Sequence, residues 1–169
     1  MSKSTPSRPP IAKVNRTFHI VASRFNTQYV DGLIEHVTEE LRALSPDSKI
    51  LLHRVPGSFE IPVVARELAI QNKANAIIAC GVILQGETDH AQNLSRSVTD
   101  ALQRIAIEHG VPVINAVLSF DNENQARARC LENKINRGTE AARAAVEIAN
   151  ALSEIRNKQG AAVSSPPEG

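Results

Sequence analysis

The stretch AIIACGVILQGETDH, Ala76 to His90, decides the fold. Its apolar, β-branched part up to Leu84 reads as a strand, the polar residues around Gly86 as a turn, and His90 as the start of a helix. The same succession recurs along the chain. Thr17 to Ser23, Lys49 to Val55 and Val113 to Ser119 are further β-branched runs, each followed by a polar or glycine-containing turn and then a helical pattern. Strands alternating with helices are the signature of βαβ units and a parallel sheet.

The helical patterns are definite. Val30, Leu33, Ile34, Val37, Leu41 and Leu44 recur at three- and four-residue steps, so the first helix buries one stripe and ends before Pro46. Pro62 opens the second. The third carries Leu94, Val98, Leu102 and Ile105 and stops at Gly110, and the last runs from about Thr139 to Arg156 on an Ala-rich face. Right-handed crossovers cover both faces of such a sheet with helices, and ligands collect outside the carboxyl ends of its strands. The loops that follow each strand are therefore the places to look for chemistry.

Length and composition narrow the classes of function. With 169 residues the chain can bury one sizeable core, expected over residues 17–157. Residues 1–16 and 158–169 have the composition of flexible tails. A formal charge of +1 gives no basic field for nucleic acid or an anionic membrane, so small molecules or protein partners are expected. The longest apolar run, Ala74 to Leu84, falls short of the roughly 20 residues that cross a bilayer. No hydrophobic stretch follows Lys3 and Arg8, and Cys80 and Cys130 lack CxxC spacing, so the cytoplasm is the expected compartment.

Among the scarce aromatic residues, Phe25, Phe59 and Phe120 all fall in expected loops after strands, which suggests a platform for a flat ring. Each could instead staple a helix end to the core. Around Gly86, Glu87 and Thr88 the strand passes into a helix whose free amides and positive end suit a phosphate. Gly81 and Gly86 have the spacing of a nucleotide-binding P-loop, but Glu87 occupies the place of its lysine, and that reading is rejected.

His90 opens the same helix, where the dipole favours a neutral imidazole able to accept a proton. His19, His36, His53 and His109 lack a comparable setting, and no pair has zinc-ligand spacing, so no metal site is expected. In VPGSFEIP, Val55 to Pro62, Ser58 and Glu60 either cap the following helix or hold a polyhydroxylated chain. Arg127 and Arg129 lie two apart in a short helix, so only one of them faces a ligand.

Together, RFN at Arg24 to Asn26, VPGSFEIP, GVILQGETDH at Gly81 to His90 and GVPVINAVLSFDNENQA at Gly110 to Ala126 resemble the 6,7-dimethyl-8-ribityllumazine synthase family. The likeness spans Phe18 to Asn150 in family order and spacing. It implies a flavodoxin-like three-layer α/β sandwich with a four-stranded parallel sheet, and a homopentamer with active sites between subunits. The implied enzyme is a transferase of riboflavin biosynthesis, acting without cofactor or metal. It condenses 5-amino-6-(D-ribitylamino)uracil with 3,4-dihydroxy-2-butanone 4-phosphate by imine formation, phosphate elimination and ring closure.

The resemblance also implies roles for single residues. Phe25 stacks on the pyrimidine, Ser58, Phe59 and Glu60 line the ribityl chain, and Val82, Ile83 and Leu84 border the ring. Glu87 and Thr88 hold phosphate, His90 transfers protons, Arg129 reaches a neighbour's phosphate, and Asn115 takes a position often held by an aromatic residue. Gln85, Asp89, Ala91 and Phe120 depart from the family pattern. Asp89 adds a negative charge beside His90 that opposes the helix dipole.

Two other readings share the fold: a non-catalytic flavin- or lumazine-binding protein, and a shell-forming one. Leu131 to Gly138 has the length associated with shell-forming members but lacks their extra glycines, and Arg8-Pro9-Pro10 obstructs strand pairing at the N-terminus, which favours free pentamers.

Overall fold

A computed structural model describes residues 6–86 and 89–163. Among them, β1 (Thr17–Ser23), β2 (Lys49–Val55), β3 (Ala76–Leu84) and β4 (Val113–Phe120) form one parallel sheet in the order β2-β1-β3-β4. The helices are α1 (Thr27–Leu44), α2 (Ile61–Ile70), α3 (His90–His109), α4 (Glu123–Cys130) and α5 (Arg137–Val163), and one 3-10 turn, Ser58–Glu60, leads into α2.

Side-chain alternation along the strands feeds two cores. Phe18, Ile20 and Ala22 of β1 and Ile78, Cys80 and Val82 of β3 pack with Val30, Leu33 and Val37 of α1 and with Ala142, Ala145 and Val146 of α5. Val21 of β1 and Ile77, Ala79 and Ile83 of β3 serve the opposite face, against Ala65 and Leu68 of α2 and Val98, Leu102 and Ile105 of α3. The result is the expected flavodoxin-like three-layer arrangement. Strand β3, with a neighbour on each edge and helices on both faces, is buried from Ala76 to Ile83, whereas the edge strand β2 exposes Leu51 and Leu52. Phe18 is fully buried, which stabilises the fold by roughly 1.5–3 kcal/mol relative to an exposed ring.

Most element bounds follow the sequence reading. Gly110 ends α3 with φ 64°, a left-handed position that a residue without Cβ adopts at no steric cost. Three details differ. Helix α2 begins at Ile61, with Pro62 inside its first turn, and α5 continues past Arg156 to Val163. Phe120 is not a loop residue: it pairs with Leu84 as the last residue of β4 and is only 2 % exposed in the core shared with α1 and α5. It therefore belongs to the packing and not to a ring platform.

The segment before β1 lies against α1 and α5. The Ala12 amide donates to the Leu44 carbonyl at 2.8 Å, and Arg143 Nη1 donates to the Pro6 carbonyl at 3.0 Å. Glu40 of α1 accepts hydrogen bonds from both Arg8 and Arg143. Among the described residues, no helix is long and apolar enough to cross a membrane.

Candidate active site

At the carboxyl ends of β1, β2 and β3, around the point where the strand order reverses, lies a cavity of about 320 Å³. Phe25 and Asn26 enter it from the end of β1, Gly57, Ser58 and Phe59 from the end of β2, and Val82, Ile83 and Leu84 from β3. His90 and Leu94 of α3 complete it.

The β1 exit is shaped by Asn26. Its backbone is left-handed, φ 54° and ψ 44°, which asparagine tolerates better than most side chains. Its Nδ2 donates to the Val82 carbonyl at 2.8 Å, fastening the turn to β3. The neighbouring ring of Phe25 is consequently held over the cavity, where it is 73 % exposed.

The β2 exit is a closed turn. Glu60 Oε2 accepts the Gly57 amide at 2.8 Å, and the Glu60 amide donates to the Gly57 carbonyl at 3.2 Å. The Glu60 carboxylate thus closes the 3-10 turn onto Gly57 and does not cap α2, which has no side-chain cap, and Glu60 stands outside the cavity lining. Ser58 is buried at the cavity while Phe59 is 66 % exposed. A Cβ on Gly81 would stand 2.6 Å from Ser58 Oγ, so the bare strand at Gly81 makes room for the hydroxyl.

His90 is the exposed first residue of α3. The preceding Asp89 makes no side-chain cap, so among the described residues no side chain occupies the first-turn amides, the groups of a helix start that suit an anion. Glu87 and Thr88, expected to hold phosphate, lie outside the described residues; Gly86 just before them is exposed, and a Cβ there would meet nothing within 4 Å.

Besides Glu60, two expected residues are not brought to this cavity by their own chain. Asn115 of β4 donates through Nδ2 to Thr99 Oγ1 at 3.1 Å and lines a separate cavity of about 430 Å³ with Arg137 and Glu140. Arg129 is half-buried on α4 and Arg127 exposed beside it, and neither lines the β1–β3 cavity. Conversely, Asn26, Gly57 and Leu94, which had been given no role at a site, also line it. An asparagine between a strand and a helix was the available signal for the first, whereas Leu94 reads from sequence only as helix core.

Covalent chemistry through sulfur has no support. Cys80 and Cys130 are both buried, and burial pushes each thiol up to about 12, far from a nucleophilic thiolate. Among the described residues no cluster of three or more His, Cys, Asp or Glu could hold a metal ion.

A parallel α/β sheet with a largely apolar cavity at its carboxyl edge and an accessible imidazole at the rim fits an α/β enzyme of small substrates. Comparison with known proteins makes this specific. The sequence pattern of the 6,7-dimethyl-8-ribityllumazine synthase family matches residues 15–153, and the chain belongs to that family. A 6,7-dimethyl-8-ribityllumazine synthase of Paraburkholderia phymatum is 40% identical over 142 residues, covering 83% of this chain and 80% of the relative. Those of an Azoarcus species, strain BH72, and of Burkholderia multivorans are 38% and 42% identical over 138 and 132 residues. They cover 81% and 78% of this chain, and 86% and 74% of the respective relatives.

Proposed function

We propose that the cavity between Phe25, Ser58, Phe59, Val82, Ile83, Leu84 and His90 is where this chain, a transferase of riboflavin biosynthesis, makes its product. The reaction condenses 5-amino-6-(D-ribitylamino)uracil with 3,4-dihydroxy-2-butanone 4-phosphate to 6,7-dimethyl-8-ribityllumazine, phosphate and water. Family membership supports the reaction. The observation that carries the location is the meeting of three chain segments, distant in sequence, around one cavity beside His90.

The pyrimidine lies against Phe25 with its edge along the β3 backbone at Val82 to Leu84, and the ribityl chain runs past Ser58 and Phe59. The amine attacks the ketone carbonyl and water leaves to give an imine. Phosphate is then eliminated to leave an enol, which tautomerises to a ketone; the ribitylamine nitrogen attacks that carbonyl, and loss of a second water closes the ring. Each step moves a proton, and His90 is the group placed to carry it. The first-turn amides of α3, with Glu87 and Thr88, take the phosphate. The scheme uses no cofactor and no metal.

A homopentamer supplies the remainder: Arg129 of one copy reaches the phosphate in the next, and Asn115 borders the neighbour's cavity. The exposure of the Phe25 and Phe59 rings on an open rim, with Arg129 outside its own chain's cavity, supports a site completed by a second copy. The pentamers are free and cytoplasmic. Purified protein mixed with the two substrates is expected to produce the fluorescent lumazine, and formation no faster than in a protein-free mixture would overturn the reading.

A further inference from the structure

The amino-terminal end of the sheet, opposite the proposed catalytic cavity, holds a feature that the reaction does not use. A cavity of about 270 Å³ there is lined by Asn15, Arg16, Thr17 and Lys49, where the chain enters β1 and β2. Arg16 is only 6 % exposed, and its Nη1 is buried without a hydrogen-bond partner among the described residues. Among the described residues, no carboxylate lines this cavity and no ion pair involves Arg16.

Burial pushes the Arg16 pKa below its ordinary value, yet an arginine keeps its proton in a protein, so a positive charge remains to be balanced. The nearby backbone is already committed. The Arg16 carbonyl accepts the Lys49 amide at 2.8 Å, and the Thr17 amide donates to Asn75 Oδ1 at 2.9 Å. The side chains of the lining then offer a guanidinium, an ammonium, a hydroxyl and a carboxamide, all of them able to donate. A buried cation without a counter-charge is costly, and water can satisfy its N–H groups but not its charge.

We propose that this cavity binds a small tetrahedral oxyanion, with Arg16 and Lys49 supplying the charge and Asn15 and Thr17 further hydrogen bonds. The site stands apart from the proposed reaction, and its position at the amino ends of the strands separates it from the phosphate expected near Gly86.

The probe is inorganic phosphate, titrated calorimetrically into the full chain at low ionic strength. Location is read separately, from the anomalous signal of tungstate soaked into crystals. A tungsten peak is expected beside Arg16 and Lys49. Lys49→Met, at an exposed position, should weaken one phosphate site several-fold, and Arg16→Leu should weaken it about tenfold or more. His90→Ala should leave that site unchanged, so its fate does not depend on the catalytic reading. An empty cavity, or a carboxylate of a neighbouring copy seated on Arg16, would overturn the proposal. So would a tungsten peak with phosphate affinity unaltered by Lys49→Met, which marks an adventitious ion only. Should Arg16→Leu fail to fold, Lys49→Met and the soaked crystal still decide.

Discussion

Nδ1 of His19 lies 2.9 Å from Nε2 of His53 across the neighbouring strands β1 and β2, with the ring centroids 5.1 Å apart. One ring donates and the other accepts, so the contact requires an unprotonated nitrogen. His19 is 8 % exposed on the side covered by α2, where Arg66 and Glu67 border the same cavity. Burial, and after it the neighbouring His53, push the His19 pKa below its ordinary value of 6.5. The unfolded chain therefore takes up the proton more readily. The stabilisation is complete above about pH 6.5 and is lost as pH falls through that value towards the lower folded one. His19→Asn, which retains a hydrogen-bonding group but does not titrate, should flatten this dependence. Urea midpoints at pH 5 and pH 7.5 that separate equally for both proteins would contradict the assignment.

Glu40 should govern a second, more acidic transition. Burial alone would raise its pKa, but hydrogen bonds from Arg143 at 2.9 Å and Arg8 at 3.0 Å prevail and hold it below the usual carboxylate range. Its stabilisation is present above about pH 4.3 and is lost as pH falls through the lower folded value. Glu40→Gln should cost about 1–3 kcal/mol at pH 7 and little at pH 3, measured by denaturant unfolding.

The approach of Ser58 to Gly81 predicts a coupled defect. In Gly81→Ala the new methyl would start 2.6 Å from Ser58 Oγ, and the serine has to move. A loss of about 1–3 kcal/mol is expected, together with a raised KM for the pyrimidine. Adding Ser58→Ala should recover stability but not KM; recovery of both would place the hydroxyl outside the substrate's reach.

His90 offers a clean separation of chemistry from folding. Because it is exposed, His90→Ala should change stability by no more than about 0.5 kcal/mol. Turnover should fall by about 10²- to 10⁴-fold, read from lumazine fluorescence. Undiminished turnover would move the proton carrier elsewhere.

The proposed sharing of the site between copies makes a further prediction. Neither His90→Ala nor Arg129→Ala alone should be highly active, yet co-refolding the two should restore part of the rate, because some cavities then receive an intact partner of each kind. A mixture no faster than the sum of its components would refute the sharing.

The strands were legible because each is a short β-branched run ended by a polar turn, and their ends also set where the cavity lies. The place of His90 was legible too, as the start of the helix that follows the β3 exit. What the sequence hid is non-local. Phe120 looks like a loop residue, but pairing with Leu84 carries β4 one residue further and turns the ring into the core. The His19–His53 contact joins positions 34 apart, which only the β1–β2 register brings together. The last helix, expected to end at about Arg156, runs on to Val163 through residues whose composition read as a tail.

The carboxamide of Asn26 rivets the exit of β1 to the end of β3 before any molecule arrives. One wall of the opening beside Phe25 is consequently set by polypeptide before the guest arrives. A planar heterocycle laid along Val82 to Leu84 meets backbone that needs little further ordering, so the entropic cost of docking falls mainly on the exposed Phe25 ring.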